Sequence, residues 1–323
     1  MSARTTFNFS RLIEALGAGK SAEQSGSLEL SLTIVVDLDA PVNLVCWIRD
    51  AFIAEGPMAT VEVTALDRAS SNLRQKTDAV LIIVGSRVDL CTRLVSSFLY
   101  RGVPVALVGL HNEDIAGFSE QSEEDGLEVG RIVAPTRIAL EKKLSRWLLD
   151  ATDKPIAFAA NFPFMRRPLV ESLTMKCAVE NAAVGAIDLI HGSDLPIMLA
   201  NQMKLAFRVS AAYGERLSMD QLTDAAVILS LAYGSRGLYR LLSTMLPSQA
   251  SWLLRALMAF VSTQLTGSIL VGRRTEDKKE LLECLEGQKA SFTNQVLAIR
   301  NEISHEKAQT KLNDKRLYID YES

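Results

Sequence analysis

The chain has 323 residues, enough for two domains with sizeable cores, and its net charge of −3 leaves no polybasic footprint for nucleic acid. Hydrophobic residues make up 48% and aromatics only 6%, an apolar composition with few stacking platforms for single-stranded nucleic acid. The 4 cysteines, Cys46, Cys91, Cys177 and Cys284, lack metal-ligand spacing and read as reduced thiols of a cytoplasmic chain, so neither a metal nor another cofactor is expected.

At the start, Met1 to Phe9 has no continuous apolar core, and no secretory signal is expected. Phe9, Leu12, Ile13 and Leu16 share one face of a short helix. That helix leads into Leu16-Gly17-Ala18-Gly19-Lys20-Ser21, which approaches a phosphate-binding loop. The loop needs glycine where Glu14 stands, a strand before it and a helix after it. The pattern instead predicts a glycine-capped helix end and a flexible link through Ser27, so that 1–27 forms a leading segment.

From Leu28 to Thr152 strands and helices alternate. Leu32–Val36, Thr60–Thr64, Asp78–Val84, Val103–Leu110 and Gly130–Ala134 read as strands. Val42–Ala54, Leu90–Tyr100 and Ile138–Leu149 read as helices. The expected fold of 28–152 is a Rossmann-like α/β domain, a parallel sheet with helices on both faces, binding ligands beyond the carboxyl ends of its strands.

Two enzyme readings attach to those strand ends. A GTPase needs a phosphate loop, an Asp-x-x-Gly switch and an Asn-Lys-x-Asp base reader. The corresponding stretches are Asp37-Leu38-Asp39-Ala40-Pro41, Asp67-Arg68-Ala69-Ser70 and His111-Asn112-Glu113-Asp114, and each lacks the defining residues. A Mg²⁺-dependent phosphohydrolase of the haloacid-dehalogenase type opens with Asp-x-Asp after a strand. Here Asp37 would attack phosphorus, Asp39 would protonate the leaving oxygen, Thr64 would supply a hydroxyl, and Glu113 or Asp114 would complete the metal shell. Against it, Pro41 replaces the required Thr or Val. The competing structural reading has Asp39 capping the helix that begins near Pro41. The acidic stretch from Asn112 to Glu128 reads as a solvated loop.

Thr152-Asp153-Lys154-Pro155 marks the boundary to a helical domain over 153–274. Arg166-Arg167 is placed for an anionic surface or for ion pairing with the first domain. Val179, Ala182, Ala183, Ala186 and Ile190 form one helical stripe, ended by His191-Gly192-Ser193-Asp194. Leu199, Met203, Ala206, Ser210 and Tyr213 form the next, ended by Gly214. Ser218 and Gln221 make a capping-box pattern for a helix stopping at Gly234, and another runs from Arg236 to Leu246. Leu253–Val271 is apolar, and its charge-free part from Ala256 to Gly272 reaches the lower limit for crossing a bilayer, with Arg273-Arg274 as interfacial anchors. A soluble helix packed through small residues explains it as well. In 275–323, Leu281, Leu285, Phe292, Val296, Ile299 and Ile303 mark the apolar edge of a charged helix spaced to dock on a partner or a second copy, frayed beyond Ala308.

The residues Asn181, Ala182 and Ala186, the break Gly192-x-Asp194-x-Pro196, then Asn201-Gln202-Met203 and Ala211-Ala212-Tyr213-Gly214-Glu215, together resemble the helical domain of unknown function associated with bacterial GTPases, the YcjF-type inner-membrane protein family. The upstream phrase from Ala159 to Arg167 is similar to that family's entry segment, while His191 stands where relatives usually carry proline. The resemblance implies a degenerate GTPase-like α/β domain before a helical one. The expected role is a non-catalytic scaffold or regulator, cytoplasmic at or near the inner face of the cell membrane. It would act on a protein partner, a homo-oligomer or the membrane surface, without nucleic acid. The alternatives are the phosphohydrolase and an integral inner-membrane protein.

Overall fold

A computed structural model of the chain describes residues 9–67, 76–118, 129–187, 194–216, 220–243 and 251–274. The strands β1 (Leu30–Val36), β2 (Ala59–Ala65), β3 (Ala79–Ile83), β4 (Val105–Gly109) and β5 (Gly130–Val133) form one sheet in the order β2-β1-β3-β4-β5. Every pairing is parallel, with Ile34 opposite Val63 on one side and Leu81 on the other. Because β3, β4 and the middle of β1 are buried on both faces, their sequences are continuous apolar runs rather than alternating ones.

Alternate residues serve opposite cores. Leu32, Ile34, Leu81 and Val108 pack under α2 (Val42–Ala51) and a later helix, Arg137–Ala151, through Leu44, Ile48, Leu140 and Leu144. Val35, Val80, Ile82 and Leu107 pack under α3 (Val88–Leu99) through Cys91, Leu94 and Phe98. The short α4 (Asn112–Ala116) follows β4, and Arg137–Ala151 is α5. The expected α/β architecture with helices on both faces is the one observed, with element ends within a few residues of those read from periodicity.

Beyond it the chain is helical: α6 (Pro155–Asn161), a 3-10 turn (Pro163–Met165), α7 (Arg166–Ala186), α8 (Asp194–Ala212), α9 (Asp220–Ser243) and α10 (Ser251–Gly272). Pro168 sits in the first turn of α7, where its missing N–H costs nothing. Phe158, Phe162, Met165 and Leu169 share the first sheet core with Leu44 and Leu140, so apolar packing runs unbroken across the Thr152–Pro155 boundary. Phe52 after α2 meets the rings of Phe162 and Phe164 edge-on at 5.1 and 5.3 Å. The Arg166 guanidinium pairs with Glu55 at 2.6 Å and lies 5.4 Å over the Tyr213 ring, an ion pair to the first half of the chain rather than a lipid contact.

Four local readings are corrected. The leading helix α1 (Phe9–Gly26) runs straight through Gly17-Ala18-Gly19-Lys20, so residues 21–26 are helix and not a flexible link. Its Ala22 packs on Phe207 and Ala211 of α8, and a Cβ on Gly26 would sit 3.0 Å from the Ala211 carbonyl oxygen. Second, α9 does not stop at Gly234 but continues to Ser243, since a helix can carry a glycine at a cost of about 1 kcal/mol when packing holds it. Third, the stripe read on α7 is not its buried face: Val179 and Ala183 are exposed and Ala182 and Ala186 only half-buried, while Ile190 lies outside the described residues. The helix buries Thr174, Cys177, Ala178, Asn181 and Gly185. Fourth, Arg274 is no interfacial anchor: its side chain is buried against Asp224 and Glu215. Gly192, the Ser218 cap, Arg68 to Ser70, Ser119 to Glu128 and the 275–323 segment lie outside the described residues.

Candidate functional site

In this strand order the direction of winding reverses between β1 and β3, and the crevice beyond their carboxyl ends is where doubly wound sheets place ligands. Asp37 leaves β1 there and is 1% exposed. Its amide donates to the Ile83 carbonyl (3.1 Å), and its Oδ2 accepts the Arg87 amide (3.0 Å). Its Oδ1 is buried with no partner. A Cβ on Gly85 would sit 2.7 Å from Asp37 Oδ2 and 3.0 Å from the Ala40 nitrogen, so a side chain at 85 would crowd the carboxylate.

Asp39 accepts the Ser86 hydroxyl, and the Arg87 guanidinium pairs with Asp67 beyond β2. The ends of β1, β2 and β3 are thereby laced together by their own side chains. The helix-cap reading of Asp39 is corrected by the same contact. Position 41 caps α2 without any side-chain hydrogen bond, because the Asp39 carboxylate turns toward β3. Behind the crevice, burial followed by the charge of Asp37 pushes the Cys91 thiol up to about 12.

Asp114 is engaged elsewhere. Its Oδ2 accepts the amides of Leu110 and His111, both at 2.9 Å, closing a capping box with His111 at the start of α4. β3 intervenes between β1 and β4, and two interstrand spacings come to roughly 10 Å. Thr64 lies on β2 opposite Val35, and Glu113 is exposed in the first turn of α4. Among the described residues no group of three or more His, Cys, Asp or Glu side chains is placed to hold a metal ion. The donor set Asp37, Asp39 and Asp114 does not fit a shared Mg²⁺. Lys20 is an exposed helical residue of α1, remote in kind from a phosphate loop.

The motif residues of the helical half do converge. The Asn181 side chain donates to Thr263 Oγ1 on α10 (2.9 Å), Gln202 Nε2 on α8 donates to the same oxygen (3.2 Å), and Asn201 donates to Asn181 Oδ1 (3.0 Å). Thr263 in turn donates to the Ala259 carbonyl (2.8 Å), while Gln202 Oε1 is left buried without a partner. Asn181, Gln202 and Thr263 are all at most 2% exposed, so the motif ties three helices together in the interior. Asp194 opens α8 and Pro196 lies in its first turn, where proline is tolerated. Tyr213 ends α8 under Arg166. Gly214 has φ +72°, and the Gly214 and Glu215 amides donate to the carbonyls of Ala211 and Ser210 in a Schellman closure.

Sequence reasoning missed the partner of that network and a charge cluster at the far end of α10. Asp224 of α9, 2% exposed, accepts from Arg274 (2.7 Å) and Arg273 (2.8 Å), and Arg274 also reaches Glu215 (2.9 Å) and the Ser210 hydroxyl (2.8 Å). Burial alone would lower the Arg274 pKa, but hydrogen bonds to Asp224 and Glu215 outweigh it and the net shift is upward. The available signal was the run Ser262, Thr263 and Thr266. Apolar length alone does not reveal them, yet each is buried and its hydroxyl hydrogen-bonded.

The fold and site define a class, a doubly wound parallel α/β unit whose core continues into a polar-networked helical assembly. No family model, curated protein or solved structure matches this chain.

Proposed function

We propose that this protein is a non-catalytic scaffold or regulator, cytoplasmic at or near the inner face of the cell membrane. Its helical half makes the association, with a protein partner, a second copy or the membrane surface, as the resemblance to GTPase-associated helical domains implies. The observation that carries this reading is the network in which Asn181 and Gln202 donate to Thr263 and Asn201 donates to Asn181, which spends the motif's polar groups on holding helices together. The separate engagement of Asp37, Asp39 and Asp114 supports it too.

Fluorescent GTP and ATP titrations and a generic phosphatase assay test the reading. No saturable nucleotide binding and no Mg²⁺-dependent turnover is expected. A second reading, the phosphohydrolase, draws on the orphaned Oδ1 of Asp37 at the switch point. Turnover that disappears in Asp37→Asn would establish it in place of the scaffold. A third draws on Trp252–Gly272, a helix long and apolar enough to cross a membrane by length and composition, although about half of it is buried inside the protein. Resistance of the chain to carbonate extraction from cell membranes would favour that one.

A further inference from the structure

The two edges of the sheet are finished differently. β5 is 4 residues long, and Lys143 Nζ donates to the Val133 carbonyl at 2.6 Å. The Ala134 amide donates to Gly109 on β4, so the backbone of Val133, one residue earlier, points away from the sheet, and a lysine closes it. Short strands and lysines protect an edge against pairing with another chain. β2 has neither. It runs 7 residues in unbroken register with β1, without proline, lysine or bulge, and among the described residues no strand lies on its other side. The Leu30 amide donates to the Met58 carbonyl, and backbone groups alternate sides along a strand, so Met58, Thr60, Glu62 and Thr64 face β1. Ala59, Val61, Val63 and Ala65 therefore turn their N–H and C=O groups to the open edge. Val63 is 63% exposed and Thr60 is exposed, so the rest of the chain does not bury the strand there. The strand reads Ala-Thr-Val-Glu-Val-Thr-Ala, the same in both directions about Glu62.

We infer that β2 is a self-association edge, pairing antiparallel with β2 of a second copy about a two-fold axis at Glu62 and joining two sheets into one. This register meets two independent demands. Both members of a hydrogen-bonded pair must turn their backbone groups to the partner, and Val61 with Val63, like Ala59 with Ala65, do so in each direction. Every such pair exchanges two bonds, about eight in all. The palindrome also sets each side chain against its own kind. Val61 meets Val63 of the second copy on the face covered by α2, and Thr60 meets Thr64 on the other, both favourable cross-strand pairs. An unrelated extended peptide satisfies the backbone but not this matching. The edge is about 23 Å long and on the order of 10 Å thick, less than the roughly 800 Å² that a stable dimer takes from each partner. Glu62 on the axis faces its own copy, and like charges directly opposite each other oppose pairing. The dimer is therefore reversible and concentration-dependent, and Glu62 keeps it so.

The inference goes beyond the proposed role, since it uses the α/β unit and not the helical half. The test is disulfide formation between copies of the full chain under mild copper-phenanthroline oxidation. Two residues at the axis of such a ladder have Cα atoms about 4.5 Å apart, within disulfide range, while Thr60 lies roughly 14 Å from Thr60 of the second copy. Glu62→Cys is expected to cross-link at least tenfold faster than Thr60→Cys, which carries the same native cysteines. Adding Val63→Pro to Glu62→Cys should remove that advantage, because the N–H it deletes points at the open edge and not at β1. Thermal melts check the fold. Where Glu62→Cys lowers the melt, the Thr60→Cys/Thr64→Cys double variant replaces it, since those cysteines face each other in the same register. In sedimentation velocity, Glu62→Gln should associate about threefold more tightly than the unaltered chain. Equal cross-linking rates for the axial and off-axis cysteines overturn the inference, and so does an advantage that survives Val63→Pro. Association of the unaltered chain without any cross-linking preference also overturns it, placing the contact in the helical half and leaving the scaffold reading to its own assays.

Discussion

Asn181 of α7 donates to Thr263 of α10 across 2.9 Å, and both side chains are wholly buried. The pair sits where an apolar contact would ordinarily seal two helices. It fixes their rotation about each other, because the shared oxygen also accepts from Gln202. Asn181→Ala removes a hydrogen bond, strands the Asn201 amide and opens a small void. The expected loss is about 2–4 kcal/mol, read as a lowered urea midpoint. A change within half a kcal/mol would show that the network does not hold the helices.

Glycine substitutions separate close packing from helix propensity. Gly267 of α10 has Thr174 where a Cβ would be, so Gly267→Ala forces a displacement inside the α7–α10 seam and should destabilise by about 1–3 kcal/mol. Gly234, with nothing within 4 Å of its ideal Cβ, lies in the middle of α9, and Gly234→Ala should stabilise by about 0.5–1 kcal/mol. Thermal melts of the two variants should shift in opposite directions.

The Asp224–Arg274 pair is 3% and 8% exposed, so removing one partner leaves a buried charge. Asp224→Leu alone is expected to cost about 3–5 kcal/mol. Arg274→Met added to it should recover much of that loss, because both charges then leave the interior together. A double-mutant cycle in urea measures the coupling, and strict additivity would mean the pair is not coupled in the folded chain.

Alkaline pH should weaken the fold through its buried thiols. Cys91 and Cys177 are each raised from 9.0 to about 12, mainly by burial. A folded pKa above the unfolded one means the native state holds its proton longer. Stability from these groups is therefore complete below pH 9 and lost as pH rises from 9 towards 12. Melting temperatures from pH 7 to 11 should fall less steeply in Cys91→Ala than in the unaltered chain. Parallel slopes would show that Cys91 does not contribute.

Sequence by itself determined the α/β unit almost element for element, because strands buried on both faces must be continuous apolar runs and their connecting helices must carry one apolar side. It also marked Asn181, Asn201, Gln202 and Gly214 as belonging together, and the positive φ of Gly214 is what a helix-ending glycine requires. Only the tertiary structure decided which side of α7 turns inward. Periodicity locates an apolar stripe but carries no information on whether a neighbouring helix offers hydroxyl and amide partners, and α10 offers Thr263. The same holds for Arg274 and for the carboxylates. A charged residue beside an apolar helix looks like an interfacial anchor until Asp224, 50 positions away in the chain, is found against it. The acidic pair after β1 looks like a metal site until Ser86 and the Arg87 amide are seen to engage it. Desolvation makes a partner obligatory for a buried polar group, and long-range partners are chosen by the fold and not by local spacing.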